Sequence, residues 1–212
     1  MIKIVSVNIA KRQKITWKGK ERYTGIFKKS INNPIFLGKN DVKEDVVIDR
    51  KYHGGENMAV YAFSLDHYAY FKKLYPNLTF ENGMFGENLT LTNFNETTIK
   101  IGDTFKVGNA IIQVSQPRLP CSTLGIRFKS QNIVKQFLHT TFSGSYFRVL
   151  QEGTVFTNNT FKLLDRNDDN LTLAEVYSLF TTNKLNTVLI EKALKMTDLS
   201  IRLKADIKRK LK

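Results

Sequence analysis

The residues best suited to carry chemistry lie in one short run, Ser115-Gln116-Pro117-Arg118-Leu119-Pro120-Cys121. Cys121 is the only cysteine of the chain. Its two preceding prolines fix φ and remove two backbone N–H donors, so the segment reads as a rigid, non-helical loop ending on a sulfur. Arg118 stands three residues before that sulfur and Arg127 six residues after it. A guanidinium beside a thiol favours the thiolate, which is the form that binds thiophilic metals or carries persulfide sulfur. Cysteine is also among the residues most often buried in apolar cores. The local pattern therefore leaves a reactive and an inert Cys121 both open.

Two glycine-rich turns offer polar backbone. Arg50-Lys51-Tyr52-His53-Gly54-Gly55-Glu56-Asn57 sets two glycines beside Lys51 and His53. Such a turn can bring successive N–H groups to an anion, although a plain surface turn has the same composition. In Asn82-Gly83-Met84-Phe85-Gly86-Glu87-Asn88-Leu89, two glycines bracket an aromatic residue ahead of a strand. Gly86, Glu87 and Asn88 could form a pocket wall there, or only a structural loop. His53, His67, His139 and Cys121 show no metal-ligand spacing, which argues against a structural zinc site. No GxGxxG run precedes a helix, no Walker A pattern occurs, and Ser64 lacks the glycines of a nucleophile elbow.

The elements that must position these residues read mostly as strands. Ile2 and Ile4, then Val5, Val7 and Ile9, alternate with one slip, as a bulged strand would. Lys14 to Trp17 and Tyr23 to Lys28 flank a Lys18-Gly19-Lys20 turn and predict a hairpin. Val46-Val47-Ile48 is strand-like. Thr104 to Val107 and Ala110 to Val114, joined by Gly108-Asn109, predict a second hairpin with a type II′ turn. Asn88 to Thr92 and Tyr146 to Val149 add further strands. Helices are predicted from Leu65 to Leu74, closed by Pro76, and from Phe128 to His139. Many short strands with regular turns imply a barrel or sandwich.

After about residue 165 the pattern changes. Asp165 to Asn170 is polar and turn-rich. Thr172-Leu173-Ala174-Glu175 is a capping box that opens a helix. Asn183 is placed to cap a second helix, from Lys184 to Met196, and Leu199, Leu203, Ile207 and Leu211 mark a third. The expected organisation is a β-barrel-like domain over residues 1–164 and a small three-helix domain over residues 165–212.

Of the 212 residues, 42% are hydrophobic and 25% charged, as in ordinary globular proteins. One cysteine excludes an intramolecular disulfide. No run of about 20 apolar residues occurs, and the N-terminus shows no signal-peptide pattern, so a cytoplasmic location is expected. Lys+Arg exceeds Asp+Glu by 14, a field that attracts polyanions and that a general lysine enrichment would equally produce. Between Arg202 and Lys212 six basic residues face one acid, which suits either RNA or lipid contact or a solvated helix face.

Taken together, three ordered blocks resemble the MOSC family, named for the C-terminal domain of molybdenum-cofactor sulfurase, and its YiiM-like subgroup. The first is His53-Gly54-Gly55, with Ala59-Val60-Tyr61 and His67-Tyr68. The second is Phe85 to Thr90. The third runs from Ile101-Gly102-Asp103 to Pro117-Arg118-Leu119-Pro120-Cys121, and Tyr146 to Gly153 agrees as well. Ser122 stands where an aromatic is usual, and Glu56-Asn57 where Pro-Asp is usual.

The resemblance implies a MOSC β-barrel with some helices, followed by the three-helix unit. It implies that Cys121 is the family cysteine, binding molybdenum or carrying sulfur. It further implies a molybdopterin-type molybdenum cofactor held by Lys51, His53, Gly54, Gly55, Gly86, Glu87, Asn88, Arg118 and Arg127, and reduction of an N-hydroxylated small molecule. The chain has no flavin, haem or iron–sulfur motif, so that chemistry needs an electron-donor protein. A large pyridoxal-phosphate domain like that of the sulfurases is not expected within these 212 residues. The alternatives are a carrier with a Cys121 persulfide and a basic nucleic-acid-binding module with a structural Cys121. A homodimer is a further expectation.

Overall fold

The computed structural model describes residues 1–50, 53–182 and 185–211. The N-terminal half carries strands β1 (Lys3–Ile9), β2 (Gln13–Trp17), β3 (Lys20–Thr24), β4 (Lys29–Ile31), β5 (Ile35–Leu37) and β6 (Val60–Ser64), helix α1 (Tyr68–Leu74) and strand β7 (Leu89–Thr92). Then follow β8 (Thr104–Val107), β9 (Ala110–Pro117), α2 (Ser122–Arg127), α3 (Asn132–Leu138), β10 (Ser145–Gln151), β11 (Gly153–Val155) and β12 (Lys162–Asp165). Helices α4 (Leu173–Thr181), α5 (Thr187–Lys195) and α6 (Ile201–Arg209) complete the described chain.

Eight strands form one curled sheet in the order β12-β8-β9-β10-β6-β7-β1-β4, in which only β6 and β7 are parallel. Residues just before β12 bring the far sides together. Ile4 donates to Asn159 O (2.9 Å), Asn158 to Ile4 O (2.8 Å) and Phe161 to Ile2 O (3.0 Å). The result is the half-barrel that the run of short strands implies. The expected slip in β1 is present as a register shift between Ile4 and Ser6. At the β8–β9 turn Gly108 is at positive φ (52°) and Asn109 is not, which is the type II′ signature.

One buried cluster fills the sheet and runs on into the C-terminal helices. Ile101, Val114 and Phe147 share it with Leu173, Val176, Ile190 and Leu203. The capping box forms as expected, with Thr172 and Glu175 each satisfying the other's backbone N–H. A second, aromatic cluster lies between the sheet and α1–α3, around Phe63, Phe71, Phe85 and Phe137.

Four local expectations are corrected. The second strand of the first hairpin starts at Lys20 and ends at Thr24, because Lys18 (φ 51°) and Gly19 (φ 72°) already complete a two-residue turn. Val46-Val47-Ile48 pairs with no strand; it is a loop. The helix expected from Phe128 to His139 begins only at Asn132, as α3, and a separate helix that was not expected, α2, ends just before Phe128. Helix α2 closes in a Schellman motif: Lys129 takes φ 52° and donates to Ile126 O (3.1 Å), and Ser130 donates to Gly125 O (2.9 Å). The usual glycine is missing from that αL position, which hid the break. Helix α5 starts at Thr187 under an Asn186 cap, where Asn186 Oδ1 accepts from Leu189 N–H (3.1 Å). Asn183 and Lys184 lie outside the described residues.

Candidate functional site: a thiol beside an unpaired guanidinium

Strand β9 delivers the Pro-Arg-Leu-Pro-Cys run to a fixed place. Its last residues pair with β10, Gln116 opposite Tyr146 and Pro117 opposite Ser145. Ser115 Oγ donates to Asn57 O (2.6 Å) and lies within hydrogen-bond distance of Tyr146 O (3.0 Å). Helix α6 holds the same strand from the other side: Ser200 bonds Gln116 through its hydroxyl and Ser115 O through its N–H (3.4 Å). The chain then leaves the sheet, and Cys121 is the extended residue (φ −126°, ψ 168°) capping α2.

Cys121 opens into a cleft of about 780 Å³, its mouth included. Arg118 and Cys121 line it with Tyr61 and Tyr146 of the sheet. The segments Thr24–Ile26 and Val46–Asp49 line it as well, so the residues expected to form a strand serve as cleft wall.

Arg118 is 3% exposed, and its NH1 has no hydrogen-bond partner among the described residues. Its guanidinium carbon lies 4.9 Å from the Tyr61 ring centre and 5.8 Å from that of Phe137. No carboxylate pairs with it among the described residues. Burial alone would lower its pKa, but Tyr61, Tyr146 and Cys121 raise it, so the guanidinium stays charged. A buried cation with an unused donor is costly unless an anion completes it.

Burial would also raise the Cys121 thiol. A hydrogen bond from His53 and the charge of Arg118 outweigh it and bring the pKa down to about 6. The sulfur is therefore largely thiolate at neutral pH. Tyr61 and Tyr146, with ring centres 5.1 Å apart, are pushed the other way by burial and remain neutral phenols.

Across the cleft, Lys28 and Asp45 form a buried ion pair, with side chains 7% and 2% exposed. Asp45 also accepts from Ala10 N–H (2.8 Å) and from Asn88 Nδ2 (2.8 Å). It thereby ties the Val46–Asp49 wall to β1 and to the start of β7. Burial lowers the Lys28 pKa, and Asp45 opposes the shift.

The structure gathers some of the residues singled out from sequence and separates others. Cys121, Arg118, His53, Gly54, Gly86 and Asn88 all face the cleft. Gly86 lets Ile26 approach, since a Cβ there would lie 2.6 Å from Ile26 Cδ1. Gly55 lies off the cleft, and its N–H is used by Asn40 O (3.2 Å). Glu87 is fully buried behind the wall, accepting from Tyr68 Oη, Gly83 N–H (2.9 Å), Phe85 N–H (3.0 Å) and Thr90 Oγ1 (2.9 Å). Its burial raises its pKa, and its work is to hold the Gly83–Gly86 turn. Arg127 is not part of the cleft lining and lies over Phe27, 5.1 Å from the ring centre. Lys51 lies outside the described residues. Sequence reasoning missed Lys28, Asp45, Tyr61 and Tyr146 as site residues. Tyr61 and Tyr146 stood in the resemblance blocks, but Lys28 looked like any lysine of a lysine-rich chain.

Among the described residues no group of three or more His, Cys, Asp or Glu side chains is placed to hold a metal ion. No helix among the described residues is long and apolar enough to cross a membrane.

Half-barrel and cleft together place one free thiol and one buried guanidinium on a common pocket. The family follows from comparison. The MOSC domain is matched over residues 49–161, and the chain belongs to the MOSC family. It is 32% identical to the protein YflK of Bacillus subtilis over 93% of this chain and 89% of that one. It is 31% identical, over 85% of its length, to a protein of Gibberella moniliformis named "Reductase", of which it spans 33%. The crystal structure of YiiM from Geobacillus stearothermophilus superposes with a TM-score of 0.84 at 30% identity, covering both chains fully.

Proposed function

We propose that the cleft binds a molybdenum cofactor and that the loaded protein reduces N-hydroxylated bases or related compounds. The observation that carries this reading is a depressed thiol sharing one cleft with a buried guanidinium that has an unused donor. The residues fit such a group: a soft thiolate for the metal, and Arg118 for an anionic substituent such as a phosphate. When bound, the cofactor would supply the two-electron redox chemistry.

The protein's part is binding and orientation. His53, at the same cleft, lowers the Cys121 pKa together with Arg118 and so favours the sulfur's charged, ligating form. Arg118 NH1 donates to the anion and fixes its distance from the sulfur. Lys28 has Asp45 as its one partner among the described residues, so it retains N–H donors for the ligand. Tyr61, whose ring face the guanidinium overlies, and Tyr146 present neutral phenols that help exclude water around it. Electrons must come from a partner protein. The relative named "Reductase", three times as long as the region it shares with this chain, has room for such a module.

The test is metal and pterin analysis of protein purified from a host that makes the cofactor. The expected result is molybdenum and pterin in near-equal amounts, with molybdenum lost in Cys121→Ser and pterin depleted in Arg118→Met. A persulfide on Cys121 without metal would establish the sulfur-carrier reading instead.

A further inference from the structure

The hairpin of β2 and β3 takes no part in the chemistry of Cys121. It is a two-stranded sheet of its own, paired from Gln13 with Thr24 to Trp17 with Lys20. From Lys11 to Arg22 it carries six cations, Lys11, Arg12, Lys14, Lys18, Lys20 and Arg22, and one acid, Glu21. That is 6 − 1 = +5 on 12 residues, against +14 for all 212. More than a third of the net charge thus sits on one short ribbon.

All six cations are exposed. Glu21 is taken by Lys14 (2.6 Å), so the other five have no carboxylate partner among the described residues. Two aromatic rings lie among them. Arg12 sits over Tyr23, 3.6 Å from the ring centre, and Lys18 lies 6.0 Å from that of Trp17. Tyr23 and Thr24 at the root of the ribbon line the cleft.

An acidic protein surface would need only the cations. Cations interleaved with flat rings suit single-stranded nucleic acid, whose phosphates meet the charges while unpaired bases stack on the aromatics. We propose that this ribbon is a docking arm for single-stranded nucleic acid and that it brings the strand past the mouth of the cleft. The inference concerns binding alone and does not depend on the chemistry assigned to Cys121.

The experiment uses the full chain and a fluorescein-labelled, mixed-sequence single strand of about 20 nucleotides, followed by anisotropy from about 50 mM salt upward. The ribbon variant is Lys18→Glu/Lys20→Glu/Arg22→Glu. A control with the same change in net charge is Lys192→Glu/Lys195→Glu/Lys208→Glu, at exposed positions of α5 and α6. Circular dichroism checks that both fold. The wild type should bind with salt-dependent affinity. The ribbon variant should lose roughly tenfold or more, with a log–log salt slope shallower by about 2, for three phosphate contacts at about 0.7 each. The control should lose less than about threefold. Trp17 is the only tryptophan, so saturating strand should quench the intrinsic emission directly. Absence of binding, equal losses in both triple variants, or unchanged Trp17 emission each overturns the proposal. So does duplex of the same sequence binding as tightly. Displacement of the strand by polyglutamate at equal charge would also overturn it, in favour of an acidic protein partner.

Discussion

Replacing Arg118 with Met removes the charge beside Cys121 while keeping an unbranched side chain in the same packing. In the wild type the thiol is held down to about 6 against the opposing effect of burial, first by His53 and then by Arg118. A full charge a few ångströms away is worth about 1–3 pKa units, so its loss should place the thiol near ~7.5. At pH ~6.5 the thiolate fraction then falls from about three quarters to about a tenth. Reactivity does not follow in proportion. Nucleophilicity rises with basicity with a coefficient of about 0.4–0.5, so the variant thiolate is intrinsically about 5-fold more reactive. The two effects nearly cancel at pH ~6.5, and a rate at one pH would mislead.

The assay is therefore the full pH profile of alkylation by iodoacetamide, read by mass spectrometry, with one cysteine and no competing site. The expected outcome is a midpoint near pH 6 in the wild type, about 1.5 units higher in Arg118→Met, with a plateau about 5-fold higher. A wild-type midpoint at the ordinary ~8.5, or one that the substitution leaves in place, would refute the electrostatic account. Stability carries the same signature. The Cys121 pKa is depressed in the fold, so its stabilising contribution, up to roughly 3 kcal/mol, is full above the unfolded value of ~8.5. It is lost as pH falls through about 6. In Arg118→Met that window narrows from its acid side.

Three further outcomes are expected. Asp45→Asn leaves Lys28 buried without its counter-ion and should cost about 3–5 kcal/mol in urea unfolding, with part recovered in Lys28→Met/Asp45→Asn. Gly86→Ala sets a Cβ 2.6 Å from Ile26 Cδ1 at φ +80° and should destabilise by more than about 1 kcal/mol while lowering cofactor occupancy. Thr172→Ala breaks the capping box of α4 and should cost about 1 kcal/mol, a drop of roughly 2–4 °C in the calorimetric midpoint that leaves Cys121 alkylation unchanged.

Alternation and turn chemistry alone determined much of this molecule. Gly108-Asn109 specifies its hairpin because only glycine enters the first position of that turn cheaply. Thr172 and Glu175 specify the start of α4 because a capping box is a local, reciprocal bond. The Pro-Arg-Leu-Pro-Cys run marked the sulfur because prolines leave a backbone few choices. Where the deciding contact is distant, those local rules were silent or wrong. Val46-Val47-Ile48 has the residues of a strand, yet Asp45 fastens its start to Ala10 and Asn88, and the segment serves as cleft wall. Lys129 takes a glycine's conformation because the carbonyls ending α2 need its N–H. Glu87 and Asn88 are neighbours in sequence, but the turn before β7 sends one into the core and the other to the cleft. Only the tertiary structure decided that Arg118 would be buried with a donor unused, since burial and partnership are properties of what surrounds a side chain.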